Sequence, residues 1–308
     1  MTAVEHGSGG SRRRGRSGHA GRGVAVLALL LSLVATTGWQ TTSADTLRFA
    51  PLPMEDRKIL LSQYAPLLAY LGETTGDAYR FRFYDDYGRI LQALHDDEVD
   101  VAYLGPLPYV RLTAKDEDFV PLVQFLNEGG KTTYTCALLA FGGDRIDLED
   151  LEGRRVALTQ PYSTCGYLVT EALLRREGAS LAANDFDYTG SHSEAILSVV
   201  RGTHAIAGAR TSIARKFAHL DVTVLAESDP LPGFLLVANP RTTTDAQRAA
   251  IREALVGLDP AGSEADRERL SHWGAPIRFG AVPAEDSAYQ GVRELDRQLP
   301  SGIPGIDR

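Results

Sequence analysis

The chain has 308 residues, of which 44% are apolar, enough for one large or two medium domains with sizeable cores. Its formal charge is −8, and residues 1–44 carry five Arg and one Glu, so the remainder lies near −12. A balance this acidic argues against nucleic acid as a partner, and it requires that any bound anion be held by local N–H groups and few cations against the protein's own field.

At the N-terminus, Arg12, Arg13, Arg14, Arg16 and Arg22 precede an apolar run from Val24 to Ala35 and the small residues Thr42-Ser43-Ala44. This is the pattern of a cleavable secretory signal peptide over residues 1–44, too short in its apolar part to span a bilayer comfortably. No cysteine stands near the cleavage point, so a soluble periplasmic protein is expected rather than a lipid-anchored one. The chain's two cysteines, Cys136 and Cys165, enter an oxidising compartment, where they either pair or remain free.

Leu47 to Ala50 reads as a short strand, followed by a helix with apolar residues at Ile59, Leu60, Tyr64, Leu67, Leu68 and Leu71. Tyr79 to Tyr84 alternates as a half-buried strand, Ile90 to Leu94 falls on a second helix, and Val99 to Leu104 is a strand before a helix opened by Gly105-Pro106. Two strands are expected at Phe119–Phe125 and Tyr134–Phe141. The rhythm then restarts, with strands at Arg155–Leu158, Phe186–Tyr188, Ala205–Gly208 and Val222–Ala226 and helices at Thr164–Arg176, Ser193–Arg201 and Thr211–Phe217. Phe234–Val237 is one more strand, helices follow from Thr243, and Gly291–Arg308 reads as a loose end because of Pro300 and Pro304. Two α/β units of similar build imply two lobes with sheets covered by helices.

Between the strand Arg155–Leu158 and its helix lies Gln160-Pro161-Tyr162-Ser163-Thr164-Cys165-Gly166-Tyr167. Ser163 and Thr164 are good N-cap types, and Gly166 permits close approach to the backbone. A helix start with small hydroxyl side chains suits a tetrahedral oxyanion, although an ordinary capped helix reads the same way.

Several short motifs occur in one order over about two hundred residues: Asp100-Val101-Ala102 before Gly105-Pro106, the Tyr134 strand, the Asp150-Leu151-Glu152-Gly153 turn, the loop above, Gly190-Ser191-His192, and Ser228-Asp229-Pro230-Leu231-Pro232. In this the chain resembles the periplasmic phosphate-, phosphite- and phosphonate-binding proteins of ABC importers, a type II periplasmic binding protein family with arsenite-sensing relatives. The resemblance implies an α/β fold of two lobes, each a mixed, mostly parallel sheet flanked by helices. Lobe 1 would take residues 45–137 and 236–308 and lobe 2 residues 138–235, with two strands crossing near Cys136–Leu139 and Phe234–Val237.

The resemblance also implies that Ser163, Thr164, Cys165 and the amides around Gly166 hold the oxyanion, with Tyr87, Tyr134 and His192 as further donors. Where an aminophosphonate-binding relative has carboxylates, this chain has Ser212 and Phe234, so a ligand without an ammonium group is expected. A small oxyanion and an ABC permease are the implied partners of a monomer that needs no cofactor or metal and catalyses nothing. Cys136 and Cys165 at cleft positions open an alternative. As free thiols, the expected state, they would bond arsenite in a sensor that signals to a membrane histidine kinase. A disulfide between them would staple the lobes together.

Overall fold

The computed structural model describes residues 45–147 and 150–299, so the signal-peptide segment and the tail beyond residue 299 lie outside the described residues. Two sheets form. The first contains β1 (Thr46–Pro51), β2 (Ala78–Phe81), β3 (Val101–Leu104), β4 (Val120–Phe125), β12 (Leu235–Ala238) and β13 (Ala281–Pro283), in the order β13-β4-β12-β3-β1-β2. The second contains β6 (Cys136–Phe141), β7 (Arg155–Leu158), β8 (Asp185–Tyr188), β9 (Ile206–Arg210) and β10 (Val222–Glu227), in the order β10-β6-β9-β7-β8.

Parallel pairing is confined to β1 with β2 and β3, and to β7 with β8 and β9. The strands next to the inter-sheet connections pair antiparallel. Both sheets are therefore mixed, because the chain enters and leaves each against the direction of its βα units.

The first sheet is covered by α1 (Arg57–Thr75), α2 (Tyr87–His95), α3 (Pro106–Lys115), α7 (Asp245–Val256), α8 (Glu264–Ser271) and α9 (Gln290–Gln298); the second by α4 (Thr170–Arg176), α5 (His192–Val200) and α6 (Thr211–Ala214). α1 shows why the apolar spacing works: Leu60, Tyr64, Leu67 and Leu71 recur every three or four residues and are all fully buried. Register in the first sheet is fixed by Asp100, whose carboxylate accepts from the backbone N–H and guanidinium of Arg48 on β1. Burial alone would raise the Asp100 pKa, but these bonds outweigh it and hold the group below the usual carboxylate range.

The two connections between the sheets run through β5 (Thr133–Tyr134) and β11 (Leu231–Pro232), which pair with each other antiparallel. This ribbon sits a few residues before the segments expected to cross. Cys136–Phe141 is instead a strand of the second sheet and Leu235–Ala238 a strand of the first. The C-terminal stretch read as loose is partly the helix α9, whose Val292 is fully buried.

Cysteine pairing corrects a second expectation. Cys136 and Cys165 form a disulfide, their Cα atoms 5.1 Å apart, and no free cysteine remains among the described residues. Both belong to the second lobe, on β6 and on the helix that starts at Thr164, so the bond does not staple the lobes. It fastens the first turn of that helix to the strand leaving the hinge. Without thiolates the chemistry required for arsenite capture is absent, and the sensor alternative falls with it.

Candidate functional site

In open α/β sheets ligands sit beyond the carboxyl ends of parallel strands, and here β1, β3, β7 and β9 all end at one cleft. It is a narrow space that opens to solvent. Four helices begin at its wall: α2 at Tyr87 and α3 after Gly105 in the first lobe, the helix at Thr164 and α5 at His192 in the second. Each brings the positive end of a helix dipole, although α3 opens Pro106-Leu107-Pro108 and spends its Leu107 N–H on Thr164.

The loop after β7 is built for close approach. The Ser163 Oγ accepts from the Gly166 N–H at 3.0 Å and so caps the helix, leaving its own proton free to donate. Thr164 to Val169 winds as a π-helical turn, seen in the bond from the Leu168 N–H to the Ser163 carbonyl at 3.1 Å. Tyr162 just before it has φ 63°, an uncommon conformation for a bulky residue and one that tends to occur at functional sites. Gly166 itself faces inward. A Cβ there would lie 2.0 Å from the Thr159 Oγ1, so this glycine seats the helix on β7, and its N–H is spent on Ser163. Gly208 on β9 does the same against Thr170, where a Cβ would meet Oγ1 at 1.7 Å.

Of the expected site residues, Ser163, Thr164, Cys165, Tyr87, Tyr134 and His192 line the cleft together; Gly166 and Cys136 support it from behind. The Tyr134 hydroxyl is buried beside Thr164 but makes no hydrogen bond. Burial pushes its pKa up to about 12, against the opposing pull of the Arg210 charge, and it stays a protonated donor. The His192 Nδ1 accepts from the Arg210 backbone N–H at 3.3 Å, which places the ring proton on Nε2. Burial first, and the Arg210 charge second, lower the His192 pKa to about 3, so the ring is a neutral donor.

Sequence reading missed Arg210 and Gln160. Arg210 ends β9 and lines the cleft, and an Arg closing the apolar strand Ile206-Ala207-Gly208-Ala209 was the signal available. Gln160 bridges the lobes: its Nε2 donates to the Pro53 carbonyl at 3.0 Å and the Gly190 carbonyl at 2.8 Å, while its Oε1 accepts from the Tyr87 N–H at 3.3 Å. The Thr164 Oγ1 adds a second crossing by accepting from the Leu107 N–H at 3.0 Å.

This site can be set beside known proteins. Residues 49–289 match the family of periplasmic phosphonate substrate-binding proteins of ABC transporters. The chain belongs to this family. Membership makes it the substrate-binding component of a transporter and not an enzyme. The phosphate-import protein PhnD of Mycolicibacterium smegmatis is 27% identical over 285 residues, covering 83% of this chain and 88% of that protein. Among solved structures, PhnD1 of Prochlorococcus marinus in complex with methylphosphonate superposes with a TM-score of 0.72 at 14% identity, covering 82% of this chain and 98% of that one. A binding protein component of an ABC phosphonate transporter from Pseudomonas aeruginosa gives 0.69 at 21% identity, covering 82% and 86%. At these identities the two structures speak for the two-lobed fold alone.

Proposed function

We propose that this family member captures one small tetrahedral oxyanion, phosphate, phosphite or a short phosphonate, in the cleft between its lobes and delivers it to an ABC permease. The observation that carries this reading is the convergence of four helix N-termini from both lobes on a cleft lined by no carboxylate among the described residues. Donors surround the space. The Ser163 and Thr164 hydroxyls, the amides of the helix they open, the phenols of Tyr87 and Tyr134 and the His192 Nε2–H are all neutral, so a net-acidic protein binds an anion through hydrogen bonds made in a dry site. The M. smegmatis relative, whose name states phosphate import, and the methylphosphonate of the P. marinus structure belong to the same chemical class.

Export is part of the reading. The signal-peptide pattern of residues 1–44 and the family's periplasmic description support a folded part that works outside the cytoplasm as a monomer, where the Cys136–Cys165 bond persists. Thermal unfolding with phosphate, phosphite or methylphosphonate tests it. Ligand at a hundred times its Kd stabilises by about 2.7 kcal/mol, so Tm rises with at least one of the three while the ligand is recovered unchanged. No shift with any of them would overturn the reading.

A further inference from the structure

The neutral donors account for an anion, but one cleft residue carries a full charge. Arg210 is held between two rings, with its Cζ 4.8 Å from the Tyr134 centroid and 5.3 Å from that of Phe234. Its Nε is buried and makes no hydrogen bond, and no carboxylate pairs with the guanidinium among the described residues. Other arginines of the fold behave differently: Arg48, Arg155, Arg241 and Arg248 each meet an aspartate. Aromatic faces offset part of the desolvation of a cation, but a partly buried guanidinium without a counter-charge is costly until an anion arrives. Phe234, which is 9% exposed, offers a substituent neither a charge nor a hydrogen-bond acceptor.

We infer that Arg210 sets the charge selectivity of the cleft: it pairs with the doubly ionised head of a phosphate- or phosphonate-type ligand and excludes ligands whose substituent carries an ammonium group. The assignment rests on the oxyanion reading above and goes beyond it by naming the residue that discriminates and the class it rejects. Arg210 lies on the wall of a narrow cleft beside Tyr134 and Phe234, so a ligand tail in that cleft stays close to the guanidinium. Two like charges a few ångströms apart under partial screening separate otherwise similar ligands by roughly a hundredfold. Arginine suits this work better than lysine, since its planar fork stacks on both rings while presenting donors edge-on to two oxygens.

Calorimetric titration of the wild type, Arg210→Met and Arg210→Lys with methylphosphonate and 2-aminoethylphosphonate tests the assignment, with thermal melting to establish that each variant is folded. The wild type should prefer methylphosphonate by roughly a hundredfold. Arg210→Met should weaken methylphosphonate binding and bring the two ligands to within about tenfold of each other, whereas Arg210→Lys, which keeps the charge, should retain most of the preference. Wild-type protein that takes 2-aminoethylphosphonate as tightly as methylphosphonate would overturn the assignment, and that outcome needs no variant to fold. So would an Arg210→Met protein with the wild-type ratio. Wild-type protein that binds neither ligand, nor phosphate or phosphite, is a different result: it would overturn the oxyanion reading itself.

Discussion

His192 ties the chemistry of the cleft to solution pH. Its folded pKa of about 3 lies below the ordinary histidine value, because burial and the neighbouring Arg210 both disfavour the imidazolium. Above about pH 6.5 neither the folded nor the unfolded state binds the proton, and this residue has no effect on stability. As pH falls from about 6.5 towards 3, the unfolded chain takes up a proton that the folded one refuses, and stability drops by up to about 1.4 kcal/mol per unit. His192→Gln can keep the acceptor for the Arg210 N–H and a donor towards the cleft without titrating. Between pH 6.5 and 5 the wild type should therefore lose about 2 kcal/mol more than the variant in urea unfolding; parallel losses would show that the ring titrates freely. Most donors at this scale were legible in the sequence, since Ser163, Thr164, Tyr134 and His192 lie in short motifs whose order is itself informative. Arg210 was not, because a charged residue ending an apolar strand looks like any strand terminus until the topology brings that end to the cleft.

The helix that starts at Thr164 shows how an element of the cleft wall is held in place. Two glycines let it sit hard against the sheet, at Gly166 on Thr159 and Gly208 on Thr170, and the disulfide ties its first turn to β6. Gly166→Ala should cost about 1–3 kcal/mol, since either the helix or Thr159 has to move; a melting curve unchanged from wild type would contradict this packing. The disulfide closes a loop of 29 residues, for which chain entropy gives a contribution of about 3–4 kcal/mol. Thiol titration of the non-reduced protein should find no reactive cysteine, and Cys136→Ser with Cys165→Ser should lower stability by that amount. Two reactive thiols with wild-type stability would refute the pairing. Sequence patterns could not reach this bond, because Cys136 and Cys165 are adjacent only after β6 and the helix pack on the same sheet. α9 escaped for another reason: with only Val292 and Leu295 as apolar residues among polar ones, Gln290–Gln298 carries too weak a period to read.

At the scale of the molecule, the two sheets are linked by the β5–β11 ribbon and meet across the cleft, where Gln160 joins Pro53 and Tyr87 of one lobe to Gly190 of the other. The ordered β-α pattern made two lobes legible, whereas the ribbon's two-residue strands were too short to place from sequence. In the proposed reading the donor set is shared between the lobes: Tyr87 comes from the first, and Ser163, Thr164 and His192 from the second. On that reading the loop hydroxyls hold an oxyanion there. Isothermal calorimetry of phosphate, phosphite and methylphosphonate with the wild type and with a folded Ser163→Ala, Thr164→Ala double variant addresses it most directly. Each lost hydroxyl removes a hydrogen bond to a charged ligand worth about 1.5–3 kcal/mol, so the affinity for whichever anion binds should fall by at least two orders of magnitude. Undiminished affinity in the folded double variant would place the ligand elsewhere.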